Sequence, residues 1–377
     1  MSLMDDHQIA ERVLRHIDNK TTDRGDQVWQ EPVANYTSEE RLVREIEEVM
    51  RRWPTVFCPS SAIPEPGCYL AREASGIPIV AVRHADGSVR AFLNACRHRG
   101  MQVAAGSGKS SVFVCGYHGW AYQLDGSLSH VPHESGFPGL DRACHGLVPV
   151  PAREQDGLVY VVQQPTPGCW DALADIPRII EPDQQILKSS QYTVEANWKV
   201  FAEGFIEGLH IKPTHPETFY PFGYDNLNVV ETYGRNSRIT YPFQRIEKLR
   251  ELPPQERRVD GRLTYVHNLF PNVMIAILSH FTTVVVLDPQ GTDRTYASSW
   301  TLTNRGKLDS QQAREDAQRD AQFVNNTGAK EDQQVVEAIQ RGIASRANEF
   351  FTFGHYESLI SHLHRNLHEM LATGHQN

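Results

Sequence analysis

The sequence predicts an α+β protein in which an all-β domain is followed by a larger domain of strands and helices. Between residues 53 and 162, short apolar runs alternate with turn residues, a pattern typical of an all-β domain. Beyond residue 167, apolar runs of strand length are mixed with helical patterns. We therefore expect a helical segment at 1–50 that packs on the last domain, a β domain at 51–166 and a mixed domain at 167–377.

The composition excludes several classes of protein. The chain of 377 residues has 40% hydrophobic and 22% charged residues, which is ordinary for a globular protein. The net charge of −9 argues against nucleic acid as the main partner. No apolar run is long enough to span a membrane, and the first residues lack the basic start and apolar run of a secretory signal. Six cysteines are too few for a disulfide scaffold, so we expect a reducing, cytoplasmic location.

The individual elements follow from periodicity and turn residues. A helix is expected after Ser38, because Leu42, Ile46 and Met50 recur at helical spacing. The predicted elements of the β domain are the hairpin strands Ile77–Arg83 and Val89–Leu93, then strands at 112–115, 120–124 and 157–162, before a linker at 165–168. Those of the mixed domain are a helix at 198–209, strands at 264–286 and 295–302, and helices at 309–324, 331–347 and 357–371.

Two cysteines and two histidines form the first candidate site. Cys96 and His98 are followed, after sixteen residues, by Cys115 and His118. Thiolates suit both zinc and iron–sulfur centres, and imidazoles suit either metal. One interpretation is a structural zinc site of the Cys₂His₂ type. The other is a [2Fe–2S] cluster in which the two cysteines hold one iron and the two histidines hold the other.

The second candidate site contains two histidines and a carboxylate. If 198–209 is helical, Glu207 and His210 lie three residues apart on one face. Pro213 should end that helix near residue 212, and His215 would then lie on a loop that folds back towards His210. Two histidines and one carboxylate, with other coordination positions open, are the ligands of non-haem Fe(II) oxygenases. Structural histidines are the alternative.

The carboxylate of this site could also come from a distant helix. Asp332 falls on a predicted apolar stripe with Val335, Val336, Ile339 and Ile343, whereas Glu331 does not. A buried carboxylate is costly unless a metal or a cation meets it, which favours Asp332 as a ligand. The alternative is that Asp332 only stabilises the amino-terminal end of its helix.

These motifs resemble those of the Rieske-type ring-hydroxylating oxygenases. The segments 94–100 and 115–122, closing on 125–128, resemble the two cluster-binding loops of that family. Residues 197–199, followed by an acidic residue and the two histidines, resemble its catalytic-iron motif, and 331–332 resemble the later segment that carries its aspartate ligand. The resemblance implies a [2Fe–2S] cluster on Cys96, His98, Cys115 and His118, and a mononuclear Fe(II) on His210, His215 and Asp332.

The resemblance also implies a fold, an assembly and a reaction. The fold would be a Rieske β domain joined to a helix-grip (START-like) catalytic domain built on an antiparallel sheet. The chain would form a homotrimer or a multiple of one. In that assembly Glu207 is the catalytic acid that bridges His210 to a cluster histidine of the next subunit. Electrons from NADH would arrive through a separate reductase, with or without a ferredoxin, and O₂ would be the co-substrate.

The substrate is the least constrained part of the prediction. Hydroxylation, dihydroxylation or oxidative demethylation of a small organic molecule is expected, with an aromatic compound first. Most ring-dihydroxylating members have aspartate at the bridge. Glu207 departs from them and resembles certain homotrimeric members, including some that act on quaternary ammonium compounds. Aromatic residues after His215 could form a cage for a methylammonium group or belong to the core, namely Phe219, Tyr220, Phe222 and Tyr224.

Two functions of other classes remain open at this point. The chain could be a Rieske electron carrier without oxygenase activity, or a binding module held by zinc. The remaining histidines are expected at the surface rather than at a metal, namely His130, His133, His145, His355, His362, His364 and His368.

Overall fold

A computed structural model of the chain describes residues 3–181, 184–304 and 311–373. The chain forms two compact units. One comprises Met1–Met50, Ala172–Ile176 and Asp183–Asn377, and the other comprises Arg51–Asp171 and Pro177–Pro182. Among the described residues, no helix combines the length and the apolarity that crossing a membrane requires.

The strands are short in the first half of the chain and longer in the second. The first twelve are β1 (Trp29–Pro32), β2 (Thr55–Pro59), β3 (Cys68–Ala74), β4 (Ile77–Arg83), β5 (Val89–Leu93), β6 (Gly106–Lys109), β7 (Val112–Val114), β8 (Ala121–Gln123), β9 (Leu128–His130), β10 (Pro149–Val150), β11 (Ala152–Gln155) and β12 (Leu158–Val161). The others are β13 (Ile186–Val194), β14 (Val229–Tyr233), β15 (Asn236–Pro242), β16 (Leu263–Leu269), β17 (Val273–Ile277), β18 (Phe281–Pro289), β19 (Thr295–Thr303) and β20 (Phe350–Phe353).

The α-helices lie at the two ends of the chain and around the second candidate site. They are α1 (Asp6–Asn19), α2 (Ala34–Thr37), α3 (Glu39–Arg44), α4 (Trp198–Glu203), α5 (Ile211–Thr214), α6 (Gln311–Asn326), α7 (Gly328–Ile343) and α8 (Ser358–Thr373). The start of the helix predicted at 309–324 lies outside the described residues.

The smaller unit is built from three antiparallel sheets. Their strand orders are β10-β5-β4-β3-β6, β11-β12-β2 and β7-β8-β9. The predicted hairpin of β4 and β5 is confirmed, with Ile79 opposite Leu93 and Arg83 opposite Val89. A core that includes Val80, Val82, Phe92, Phe113, Trp120 and Tyr122 packs around Cys96 and Cys115. The first candidate site is therefore anchored in the core of this unit.

The larger unit contains a seven-stranded antiparallel sheet in the order β13-β19-β18-β17-β16-β15-β14. Helix α1 packs on it through Ile9 and Val13, which contact Val229 of β14 and Leu263 of β16. Helix α6 packs on β18 through Ala317, Ala321 and Phe281. The α+β class is confirmed, with the helices segregated from a purely antiparallel sheet.

The predicted stripe of the helix after Ser38 is wrong in part. Ser38 does cap α3, accepting a hydrogen bond from the backbone nitrogen of Arg41 at 3.1 Å. The chain then changes to a π-helical segment at Glu45–Met50. Because a π turn holds more residues than an α turn, it shifts the inward face. Glu45 is buried where the spacing predicted Ile46.

The helix predicted at 198–209 is also shorter than expected. Helix α4 ends at Glu203, and Glu207 lies in the irregular link before α5. Gly204 and Gly208 in this link have low helix propensity. A Cβ atom at Gly208 would lie only 2.3 Å from Nδ2 of Asn228, so the packing of the link requires glycine. Pro213 does not end a helix as predicted, because it lies in the first turn of α5, where its missing N–H is not needed.

Candidate functional site

The two cysteine loops of the smaller unit, residues 96–101 and 115–120, share one pattern of backbone hydrogen bonds. The nitrogen of Cys96 donates to the oxygen of Met101, and that of Cys115 donates to the oxygen of Trp120, both at 2.8 Å. Gly100 and Gly119 each donate back to the oxygen of their cysteine. Both glycines have positive φ angles, of 82° and 74°, a conformation that glycine adopts without strain. The loops are therefore two copies of one ligand-presenting turn.

The two thiols and two imidazoles of these loops are placed so that one metal centre could contact all four. Cys96 and Cys115 are buried free thiols. The rings of His98 and His118 lie side by side, with centroids 4.5 Å apart. His98 stacks on Trp120, and its buried Nδ1 makes no hydrogen bond within the described residues. Burial, together with the charges of His118 and Arg99, lowers the pKa of His98, which keeps its imidazole neutral as a ligand must be.

Tyr122 contacts a cysteine sulfur of the same site. Its hydroxyl lies 3.2 Å from Sγ of Cys96 and accepts a hydrogen bond from the backbone nitrogen of Arg97 at 2.9 Å. A thiolate has no proton to donate, so the hydroxyl is the donor of this contact when Cys96 is deprotonated, as a metal ligand must be. Hydrogen bonds to cluster sulfurs are one of the means by which proteins set the reduction potential. Together with an orphaned imidazole nitrogen, the donor set fits a [2Fe–2S] cluster.

The second candidate site brings together His210, His215 and Asp332 in the larger unit. Oδ1 of Asp332 lies 2.8 Å from Nε2 of His215 and 3.6 Å from Nε2 of His210. The three ligand atoms lie within 4.8 Å of one another. Nε2 of His215 is fully buried and makes no hydrogen bond with any described residue, although the Asp332 oxygen is near. Three donors that converge without satisfying one another fit a metal ion.

Short elements position this triad. His210 is the N-cap residue of α5 and His215 its C-cap residue, so a single helical turn separates the two imidazoles. Their ring centroids are 5.3 Å apart. Phe219 packs on His215, with ring centroids 4.7 Å apart. A Cβ atom at Gly328 would lie 2.1 Å from the Phe219 ring, so this glycine leaves room for Phe219 beside the site.

Glu207 contacts His210 as predicted, but for a different structural reason. The two residues do not share a helix face, because the link between α4 and α5 is irregular. Instead, Oε2 of Glu207 accepts hydrogen bonds from the backbone nitrogens of Leu209, at 2.5 Å, and His210, at 3.2 Å. Its Oε1 contacts Nδ1 of His210. The carboxylate is thus held by the same turn that presents the histidine.

Glu331 was missed by the sequence analysis. Its Oε2 lies 2.7 Å from Nδ1 of His215 and accepts a hydrogen bond from the hydroxyl of Thr218 at 2.7 Å. The predicted stripe of α7 is wrong in part, because Ile339 is 39% exposed. Helix α7 begins at Gly328, so Glu331 and Asp332 lie near its amino-terminal end and both reach His215. The signal in the sequence that could have identified Glu331 is its position directly before Asp332.

The three residues 197–199 connect this site to the amino-terminal segment. Asn197 caps α4 by accepting from the nitrogen of Lys199 at 2.9 Å. The side chains of Trp198 and Lys199 both donate to Oε2 of Glu45, at 3.0 and 2.8 Å. Tyr36 donates its hydroxyl proton to Glu203 at 2.7 Å. A polar network therefore fixes α4 against residues 36–45 within the larger unit.

The aromatic residues after His215 do not gather into a cage. Phe219 packs against His215 of the triad. The side chain of Phe222 is 58% exposed. Tyr224 donates to Glu247 at 2.9 Å and packs on the core beneath α1. The core alternative therefore holds for Tyr224, whereas Phe219 lies beside the triad.

The residue ranges that contain the two candidate sites match known domain families. Residues 53–149 match the Rieske [2Fe–2S] domain, and residues 184–373, half of the chain, match the catalytic domain of the ring-hydroxylating alpha subunit. The oxygenase subunit of carnitine monooxygenase from Acinetobacter baumannii is 28% identical over 340 residues, which cover 85% of this chain and 87% of that protein. The large oxygenase component of the 2,4-dinitrotoluene dioxygenase system from Burkholderia sp. is 36% identical over 200 residues, which cover 48% and 43%.

A solved structure of a quaternary ammonium Rieske monooxygenase with a bound inhibitor has the same fold. It superposes with a TM-score of 0.77 over 91% of this chain and 96% of that chain, at 23% identity. The oxygenase domain excludes the electron-carrier and zinc-module alternatives. Such a protein contains a Rieske [2Fe–2S] cluster and a mononuclear iron that uses O₂, and it receives electrons from a reductase. The chain therefore belongs to the Rieske-type ring-hydroxylating oxygenases, as the terminal oxygenase component.

Proposed function

We propose that the two constellations are the metal sites of this oxygenase. The cluster ligands are Cys96, His98, Cys115 and His118, and the mononuclear iron ligands are His210, His215 and Asp332. This assignment is supported by the convergent geometry of the triad and by the repeated turn of the two cysteine loops. Bound iron supplies the activation of O₂ at coordination positions that two histidines and one carboxylate leave open.

The chain's own carboxylates orient the iron-binding imidazoles. Glu207 holds the Nδ1 proton of His210, and Glu331 holds that of His215. A carboxylate on the second ring nitrogen fixes the tautomer, so that Nε2 is the unprotonated atom facing the metal. Both histidines of the triad are held in this way. This pairing is the single observation that carries the proposed iron site.

Glu207 has a second role in the proposal, at an interface between subunits. The chain assembles as a homotrimer in which Glu207 bridges His210 to His118 of the partner subunit, and electrons cross at this point. His118 is exposed beside the cluster loops, as a contact with another chain requires. Glu207 keeps 11% of its side chain exposed while it contacts His210.

The proposed reaction is the monooxygenation of a quaternary methylammonium compound. A carnitine monooxygenase subunit matches along most of both chains, and the proposed bridging residue of this chain is a glutamate. Electrostatics favour a cationic substrate as well. Glu207, Glu331 and Asp332 bring three carboxylates to a site where Fe(II) supplies two positive charges. The three carboxylates together with Fe(II) carry a net negative charge, so a cationic substrate is attracted to the iron site and an anionic group is repelled.

Hydroxylation of an aromatic ring is the second candidate. Its support is the identity of 36% with the dinitrotoluene dioxygenase component, over 48% of this chain. Because that match covers less than half of either protein, it supports the aromatic reaction less than the match over 85% of this chain supports the methylammonium reaction. The cytoplasmic location stays a prediction.

The test is reductase-coupled O₂ uptake with product analysis by mass spectrometry. Carnitine, choline and γ-butyrobetaine are compared with nitroarenes and aromatic acids. The matched control for choline is 3,3-dimethylbutan-1-ol, a neutral molecule of the same shape. We expect coupled turnover with a quaternary ammonium compound and at least about tenfold less with its neutral analogue, since attraction between unit charges about 4 Å apart is of the order of 1–4 kcal/mol and about 1.4 kcal/mol is tenfold. Coupled turnover with aromatic compounds alone would replace the proposal with the second candidate.

A further inference from the structure

A second group of potential metal ligands lies in the larger unit, outside the iron triad. It consists of Glu31 on β1 and of His364 and His368 on α8, and we call it the β1–α8 cluster. His364 was predicted at the surface, and this prediction is wrong because its exposure is 0%. The two histidines are four residues apart, so they share one face of α8.

The three ligand atoms of this cluster converge on one point. Oε1 of Glu31 lies 2.9 Å from Nε2 of His368 and 3.5 Å from Nδ1 of His364. All three atoms lie within 4.8 Å of one another. The corresponding contacts of the iron triad are 2.8 and 3.6 Å, between Asp332 and the two histidines. The β1–α8 cluster therefore has the spacing of the candidate iron site.

An unsatisfied atom points into the cluster. Nδ1 of the fully buried His364 makes no hydrogen bond within the described residues. The other ring nitrogen of His364 lies 2.8 Å from Glu203 and 3.1 Å from the hydroxyl of Tyr36. The Glu203 carboxylate favours the tautomer of His364 with the proton on Nε2, which leaves Nδ1 free as a ligand. Carboxylates have the same role behind metal-bound histidines.

The carboxylate of the cluster is fixed in the same manner. Glu31 accepts hydrogen bonds from Nδ2 of Asn35 at 2.7 Å and from Nε1 of Trp29 at 3.0 Å. Its exposure is 0%, whereas 38% of the His368 side chain is exposed. The cluster thus has two buried and oriented ligands, and the third is at the surface, where an ion can enter.

We propose that the β1–α8 cluster is a second metal site that binds one divalent first-row ion, of which Zn(II) is the best match. Two imidazoles and one carboxylate are ligands that Zn(II) accepts, with a fourth position left for water. The ion would join β1, near the start of the chain, to α8 at its end. The site is therefore structural, and it is independent of the proposed substrate.

A proton is the competitor for this position. Burial lowers the pKa of His364, but its interactions with the carboxylates of Glu203 and Glu31 raise it more, to about 9. Without an ion, the imidazole is therefore protonated between two carboxylates at neutral pH. The experiment has to distinguish a bound ion from this proton.

The experiment uses the full chain with its [2Fe–2S] cluster loaded. This background protein also carries His210→Ala and Asp332→Ala, which remove two ligands of the proposed mononuclear iron site. Zn(II) is titrated by calorimetry, and the desalted protein is analysed for retained metal and by zinc X-ray absorption. We expect about one Zn(II) per chain with two imidazole ligands. His368→Ala should lower the affinity at least about tenfold. His362→Ala, on the same helix but in contact with Asn366, is the control and should bind zinc unchanged.

Glu31→Gln provides a second variant, because it keeps the size of the side chain and removes its charge. Circular dichroism and the visible spectrum of the [2Fe–2S] cluster check that each variant is folded. No retained zinc in the background protein means that a proton occupies the site and overturns the proposal. Equal zinc binding in the background, His368→Ala and Glu31→Gln proteins also overturns it.

Discussion

Nδ1 of His215 lies 2.7 Å from Oε2 of Glu331, the residue that directly precedes the proposed iron ligand Asp332. Two adjacent residues of α7 therefore contact the two nitrogens of one imidazole. In the proposed iron site, the first would fix the tautomer and the second would share the metal with Nε2, 2.8 Å away. This arrangement leads to the first prediction.

Glu331→Gln is expected to weaken the mononuclear iron without abolishing its binding. Loss of a carboxylate behind a metal-bound histidine typically costs about 10–100-fold in metal affinity or activity. Iron affinity is measured by competition with a chelator, and the cluster spectrum should not change. Glu337→Gln on the same helix is the control, because Glu337 contacts Gln333 rather than the triad. Equal iron affinity in both variants would show that Glu331 does not orient His215.

Removal of a triad ligand is expected to have a larger effect. His210→Ala or Asp332→Ala should remove the mononuclear iron and turnover, whereas the visible spectrum of the cluster stays intact. The reason is that each constellation lies within its own compact unit. Iron and acid-labile sulfide are assayed together. If Asp332→Ala retains full iron and activity, the third ligand has been misassigned, and Glu331 becomes the first replacement to test.

Replacement of a cluster cysteine should bleach the protein. Cys96→Ser and Cys115→Ser are expected to lose the visible absorbance, because each removes one of the two thiolates that hold one iron. Cys144→Ser is the control, since Cys144 is an exposed free thiol elsewhere in the same unit. Metal analysis of wild-type protein should give three irons per chain, and any zinc present should show no sulfur ligands by zinc X-ray absorption. Stoichiometric zinc without acid-labile sulfide would contradict the assignment of these ligands.

Substitution of Glu207 should impair electron transfer rather than iron binding. Glu207→Asp shortens the side chain by one methylene, and a displacement of the order of 1 Å can cost about 10²-fold in rate. Glu207→Gln keeps the length and loses the charge. Single-turnover kinetics on pre-reduced protein follow cluster oxidation after substrate and O₂ are added. Glu217→Gln, an exposed residue of the next turn, is the control. A wild-type rate in Glu207→Gln argues against the bridge, and loss of iron would make Glu207 a ligand.

Lys199→Met is expected to destabilise the larger unit. Lys199 and Glu45 form a 2.8 Å ion pair with side-chain exposures of 1% and 0%. Removal of one partner of a buried pair typically costs about 3–5 kcal/mol, because the other charge stays buried. Denaturant unfolding of Lys199→Met, Glu45→Gln and the double variant measures the coupling between them. Additive effects of the two substitutions would show that the pair is not coupled.

The same pair predicts a dependence of stability on pH. Burial by itself raises the pKa of Glu45, but the ion pairs with Lys199 and Arg41 outweigh it and lower the pKa. A depressed pKa contributes stability above the ordinary glutamate value of about 4.5, and this stability is lost as the pH falls below it. The difference in unfolding free energy between wild type and the double variant should therefore shrink in acid.

The sequence by itself determined the α+β class, the hairpin of β4 and β5 and the segments that carry the two sites. Strand alternation, turn residues and ligand spacing are local properties, so they are visible in a short stretch of chain. The proposed ligands His210 and His215 lie in one such stretch, although the chain between them is a helical turn and not the predicted loop.

Only the tertiary structure decided which polar residues meet. Glu331 contacts His215 across 116 positions of sequence, and Lys199 contacts Glu45 across 154. Helical periodicity indicates the inward face of a helix but not the element that it faces. This is why Glu331 was assigned to the wrong side and His364 to the surface. The π-helical segment and the glycines of the 204–208 link changed the local geometry as well, because packing against distant residues outweighed the spacing of the apolar side chains.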